Sequence, residues 1–259
     1  MKYNLHTHSK YCGHGSGTIG EYAEYALEKG FNLLGFSEHC PFPNDFYHST
    51  RMSYSKMKDY ESDVKAIDGY GSRFLLGYEC DYFKRWRSYF EEIKERVDYL
   101  IAGVHLIVRP NGEYATPFTS SFSSKDLPLY VDSYTSAMET GLFSFMAHPD
   151  VFLLHCKWDE NAISASRDII VASKELGIPL EVNANGIIKA EKSGSRDWGY
   201  PNRNFWLLAK EYGIKAVCSS DAHEVENLDK HYDDVHGFVN SIALDCVEPK
   251  FDRGKFVFK

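Results

Sequence analysis

Metal-type side chains recur in this chain at the ends of six apolar runs. The chain opens YNLHTHS, which places His6 and His8 after the first such run. FSEHC then brings Glu38 and His39, LGYEC brings Glu79, AGVHL brings His105, FMAHP brings His148, and CSSDAH brings Asp221 and His223. Short apolar runs bounded by turn formers read as buried parallel strands. Strand ends that each carry a ligand-type group constrain the fold, because a β/α barrel is the architecture whose strand ends converge on one mouth. Burying so many polar groups at one end without a common purpose would cost free energy at each.

The same pattern predicts strands over 3–8, 33–38, 74–79, 99–105, 143–148, 179–183 and 216–221. Apolar residues at helical spacing predict helices over 18–29, 86–98, 125–140, 159–176 and 201–212. The first begins on a capping-type Thr18 and stops at Gly30; the fourth stops at Gly177. Strand and helix in alternation point to an α/β fold, a TIM-like parallel barrel forming a single domain over 1–259. Segments 40–54, 109–124 and 189–200 read as long loops that roof the barrel mouth.

Charge and composition narrow the function. A formal net charge of −8 and the lack of a dense Lys/Arg block argue against a nucleic-acid partner. No apolar run of about 18 residues predicts a membrane span, and the polar start lacks the apolar core of a signal peptide. The six cysteines form no CxxC pair and read as reduced, mostly buried thiols of a cytoplasmic protein. Oligomeric state leaves no mark in the sequence.

His6 and His8 are two apart on a strand, so both imidazoles point to one face and one ion can take both. Asp221 and His223 repeat that spacing at the last strand. Glu79 is the natural bridge, since a carboxylate has two oxygens. His14 lies in the Gly-rich turn CGHGSG, which lets the backbone fold it toward the mouth. Asn183 and Asn185 end the sixth strand and read as loop hydrogen-bonders. His48, His155, His231 and His236 do not fit strand ends.

Taken together, HTHS, the EH after the second strand, the Glu79 strand, GVH, AHP and SDAH resemble the polymerase and histidinol phosphatase (PHP) superfamily across essentially the whole chain. EHCPFP, Arg51-Met52 and SGSRDWGYP are similar to its histidinol-phosphate phosphatase branch. The resemblance implies a distorted (β/α)7 barrel with three divalent transition-metal ions, zinc, manganese or iron. By motif, His6, His8, Glu79 and Asp221 would hold the first ion. Glu79, His105 and His148 would hold the second, and His14, His39 and His223 the third. A hydroxide shared by two cations would attack phosphorus, because metal binding brings water's pKa from about 15.7 toward 7. Arg196, Lys10 and Arg51 are the candidate phosphate-binding cations, and Asp221 or His39 the candidate proton donor to the leaving alkoxide. The implied partner is a small phosphorylated substrate, L-histidinol phosphate of histidine biosynthesis. The alternative is a PHP phosphodiesterase or nucleotide-phosphate hydrolase with the same metals and another pocket.

Overall fold

Seven parallel strands run in chain order round a nearly closed barrel: β1 (Tyr3–Asn4), β2 (Leu33–His39), β3 (Phe74–Cys80), β4 (Tyr99–Ala102), β5 (Phe145–Met146), β6 (Leu180–Asn183) and β7 (Ala216–Ser219). The last strand meets the first through a parallel bridge between Thr7 and Ala222, where the His8 N–H donates to the Ala222 carbonyl at 2.8 Å. This computed structural model describes residues 1–71, 73–195, 197–252 and 255–258, without the side chains of 251, 252, 255 and 256.

Eight α-helices are found among the described residues: α1 (Ile19–Glu28), α2 (Met57–Lys65), α3 (Arg87–Lys94), α4 (Leu127–Met138), α5 (Glu160–Leu176), α6 (Asn185–Ser193), α7 (Arg203–Glu211) and α8 (Tyr232–Ser241). Thr18 caps α1 in a reciprocal box with Glu21, and Asp159 caps α5 by accepting from the N–H groups of Asn161 and Ala162. Each such cap stabilises its helix by about 1 kcal/mol. None of these helices is long and apolar enough to cross a membrane.

Several strands are shorter than the apolar runs predict. The run at 99–105 leaves the sheet after Ala102, and the run at 143–148 forms a ladder only at Phe145–Met146. The remaining residues turn inward and carry His105 and His148 to the mouth. Helices α2, α6 and α8 were not anticipated. Helix α6 follows β6 with no side-chain cap and has Gly186 in its first turn, so its start lacks the usual signals. It takes up the first five residues of the expected loop 189–200. A short hairpin pairs Ile107–Val108 with Tyr114–Ala115, and its second strand lies within the expected loop 109–124.

One apolar cluster fills the space between strands and helices. A second fills the barrel interior with Tyr3, Leu5, Leu33, Leu75, Tyr99, Ile101, Phe145, Ala147 and Val217. Tyr99 is its central plug. It lies against Gly35 and Gly77, where any β-carbon would collide with its ring. Its hydroxyl donates to the Leu5 carbonyl at 2.9 Å. This interior layer is the floor on which the polar mouth rests.

Candidate metal centre

The side-chain period of two explains why Glu79 stands at the centre of the mouth. Leu75, Gly77 and Glu79 share one face of β3, and Leu75 belongs to the interior plug. Glu79 is therefore the next inward group above an apolar floor, and it is 1% exposed. Its Oε2 lies 3.3 Å from His6 Nε2, 3.5 Å from His8 Nε2 and 2.9 Å from His39 Nδ1. Its Oε1 lies 2.9 Å from His148 Nε2 and 3.3 Å from His105 Nε2. Asp221 faces the same two histidines from the opposite side, Oδ1 being 3.5 Å from His6 Nε2 and 3.2 Å from His8 Nε2. His14 Nε2 and His223 Nε2 face each other at 3.0 Å. His39 stacks on His8 and His14 with ring centroids 4.2 and 5.2 Å apart.

Backbone strain marks two of these positions. His148 has φ 31° and Asp221 has φ 51°. Such conformations cost about 1–3 kcal/mol in non-glycine residues and persist where the surroundings hold them. Gly103 allows the close approach at the centre: a β-carbon there would lie 2.6 Å from Glu79 Oε1 and 2.9 Å from His148 Cε1.

Behind this ring stands a second layer, in which Glu181 and Asp81 join Glu38, Asn183 and Asn185 without having been singled out from the sequence. Glu181 on β6 accepts from His6 Nδ1 at 2.8 Å and from the His148 backbone N–H at 2.9 Å. Asp81 lies 3.2 Å from His105 Nδ1 and accepts from the His105 N–H at 2.6 Å. Glu38 accepts from the Ser9 N–H at 2.7 Å, with its other oxygen 3.8 Å from His8 Nδ1. Asn183 and Asn185 both donate to Asp221 Oδ2, at 3.2 and 3.0 Å, rather than serving the loop alone. The signal for Glu181 was present: Glu181 and Asn183 alternate with Leu180 and Val182, a period-two pattern in a barrel strand.

Charge is shared unevenly. Burial alone would raise the Glu79 carboxyl, but the imidazoles of His105, His6 and His39 outweigh it and hold Glu79 well below the usual carboxylate range. His6, His8 and His223 do the same for Asp221. Burial lowers His105, yet the carboxylates of Glu79 and Asp81 carry it up to about 10. In contrast, burial and the neighbouring His8 push His39 and His223 well down, toward the neutral form that ligates metals.

This donor set fits divalent transition ions. Ligands about 2.0–2.1 Å from a tetrahedral zinc lie about 3.3 Å apart, and the His6, His8, Glu79 and Asp221 atoms are 3.2 to 3.5 Å apart in the four nitrogen–oxygen pairs above. His6 Nε2 and His8 Nε2 face each other at 3.0 Å, which a shared cation would reconcile. Glu79 Oε2, Asp221 Oδ1 and His148 Nδ1 are buried with no hydrogen-bond partner. The triads His6–Glu79–His148, His6–His8–Asp221 and His8–His39–His223 each hold their ligand atoms within 4.8 Å of one another.

The candidate phosphate-binding cations fare differently. Arg51 is buried and committed: it donates to Asp81 Oδ2 at 2.9 Å, to the Cys40 carbonyl at 3.0 Å and to the Tyr47 carbonyl at 3.3 Å, and packs 4.0 Å over the Phe42 ring. It ties segment 40–54 to Asp81 and through it to His105. Lys10 is exposed, its ammonium 5.8 Å from the Tyr11 ring, and among the described residues no contact joins it to the cluster. Arg196 lies outside the described residues. Asp221, the candidate proton donor, accepts from two amides at Oδ2, and its Oδ1 faces His6 Nε2 and His8 Nε2.

Fold and site together place the chain among α/β barrels with a candidate metal cluster at the strand ends. Residues 4–185 match the PHP domain model, and the chain belongs to the PHP domain family. A probable histidinol-phosphatase of Deinococcus radiodurans is 29% identical over 228 residues, which cover 85% of this chain and 85% of the relative. The fold is shared with a putative histidinol phosphatase of Listeria monocytogenes, at TM-score 0.76 and 20% identity over 90% of this chain and 99% of that one. It is also shared with the histidinol phosphate phosphatase of Lactococcus lactis, solved with zinc, L-histidinol and phosphate, at TM-score 0.66 and 14% identity over 98% of each chain.

Proposed function

We propose that this protein is a metal-dependent phosphoric monoester hydrolase that converts L-histidinol phosphate to L-histidinol and phosphate, a step of histidine biosynthesis in the cytoplasm. The observation that carries the reading is Glu79, one buried carboxylate whose two oxygens meet the five imidazoles of His6, His8, His39, His105 and His148 within 3.5 Å. A carboxylate so surrounded is suited to join two cations. The substrate is taken from the relatives: the Lactococcus lactis protein was solved with L-histidinol and phosphate. The whole of 1–259 serves as one domain, and the acidic chain favours a small phosphorylated molecule over nucleic acid.

In this reading His6, His8, Glu79 and Asp221 hold one ion, Glu79, His105 and His148 a second, and His14, His39 and His223 a third. Such ions acidify water toward neutral pH and offset the charge of a phosphoryl group. The chain's own residues do the rest. Glu181 fixes the ring and tautomer of His6, and Asp81 does so for His105. Arg51 holds Asp81 in place. Asn183 and Asn185 keep Asp221 turned toward His6 and His8. The apolar floor under Glu79 keeps water from reaching the cluster from below.

The test is phosphate release by the metal-loaded protein from L-histidinol phosphate, compared with a phosphodiester and a nucleoside monophosphate, alongside elemental analysis. Histidinol phosphate should be turned over at least about 100-fold more efficiently than either, as binding of the whole leaving group contributes to the rate. Faster turnover of the diester or nucleotide would replace this substrate with the other class. A loaded protein inert to all three would sink the phosphatase reading.

A further inference from the structure

Helix α6 leaves β6 directly at the barrel mouth, and its residues four apart share a face. Asn185 uses that face to bond Asp221. Lys189 is one turn further on. Its ammonium donates to the Tyr200 hydroxyl at 3.1 Å and sits 4.4 Å over the Phe118 ring. Phe118 in turn stacks on His105 with centroids 5.5 Å apart and meets His148 at 5.9 Å, while Tyr200 meets His148 at 6.4 Å. The ammonium is thus fixed above the His105–His148 side of the cluster by two aromatic rings that themselves touch it.

The other lysines nearby are differently placed. Lys192, on the same helix, pairs with Glu224 at 2.8 Å, and Lys230 pairs with Glu191 at 2.6 Å. Among the described residues, no carboxylate lies within ion-pair distance of Lys189. The side chain remains open to solvent, yet protein crowds its ammonium enough for burial to push it below the ordinary lysine range, against the pull of Asp221 and Glu79. An aromatic-braced cation without a counter-ion, beside a cluster that gathers further positive charge when loaded, is set to receive an anion. A lysine ammonium is a compact point charge that suits a phosphoryl oxygen.

We infer that Lys189 is a substrate-binding residue that engages the phosphoryl group of the phosphate ester, with Phe118 and Tyr200 holding its ammonium over the cluster. The inference rests on the phosphatase reading above. It is tested with Lys189→Met and Lys189→Arg in the full-length, metal-loaded protein. Three quantities are read: metal content, the stabilisation of the protein against heat by inorganic phosphate, and KM and kcat for L-histidinol phosphate. Lys189→Met should keep its metal, lose most of the phosphate-induced stabilisation, and raise KM by about tenfold or more, since one charge-assisted contact is removed. Lys189→Arg should retain phosphate binding, because the charge is kept. If wild type hydrolyses the ester and Lys189→Met binds phosphate as tightly, the role of Lys189 is overturned and the phosphatase reading stands. If Lys189→Met loses metal to the same degree as phosphate binding, Lys189 serves the cluster's structure and the inference is again overturned. If loaded wild type neither hydrolyses the ester nor is stabilised by phosphate, the reading itself fails and takes the inference with it.

Discussion

The deep end of the cluster and its mouth use the same side chain in two ways. At the deep end, His6 is fully buried and its outward-facing Nδ1 is held by the Glu181 carboxylate at 2.8 Å. His105 is held likewise by Asp81. At the mouth, His14 is exposed, and its Nδ1 meets the Cys12 carbonyl at 3.2 Å. His223 Nδ1 meets the Asp221 carbonyl at 3.0 Å, with the carboxylate of that residue further off at 3.4 Å. A carboxylate behind a histidine fixes the tautomer and makes the ring a stronger donor; a carbonyl mainly fixes the tautomer. Burial adds to the contrast, because a buried ring cannot exchange its partner for water. The difference teaches that grip on a cation is set by what stands behind the ligand as much as by the ligand.

The contrast can be broken at its centre first. Glu79→Gln replaces the shared carboxylate with a neutral amide and should lower kcat/KM by about 10³ or more, with loss of metal from the deep end and an unchanged circular-dichroism spectrum. Near-wild-type turnover would remove Glu79 from its bridging role. Next, Glu181→Gln leaves every ligand in place and weakens only the support behind His6. Metal retention against a competing chelator should fall about 10- to 100-fold, and no change would show that the outer layer is inert. The smallest effect belongs to His14→Ala, which should release the outermost ion alone while the deep ions persist under the same chelator. If His14→Ala empties the cluster as fully as Glu181→Gln, the two ends are not distinct.

How much of this was legible in the sequence follows from where each residue sits. His6, His8, Glu79, His105, His148, Asp221 and His223 end apolar runs, and a parallel barrel sends all such ends to one place. Their convergence could therefore be argued before any coordinates. Glu181 and Asp81 were harder, since an acidic residue inside or just past a strand reads equally as an edge or a turn. Arg51 was hard for a related reason: a cation near a predicted phosphate site reads as a clamp, and its contacts with Asp81, two carbonyls and Phe42 arise only from packing. Lys189 lay in a segment that reads as loop, because α6 begins without a cap.

What the sequence determined by itself was the barrel, its polar end and the chemical type of the centre, for these depend on periodicity and on the order of ligand-type residues along the chain. The tertiary structure alone decided which oxygen faces which ring, that Asn183 and Asn185 turn Asp221, and that Lys189 rather than Lys10 overlooks the cluster. Those choices depend on side-chain packing between residues distant in the chain, such as Lys189 with Phe118 and His6 with Glu181. Local pattern carries no information about such contacts, because they exist only once the strands have closed and the helices have docked.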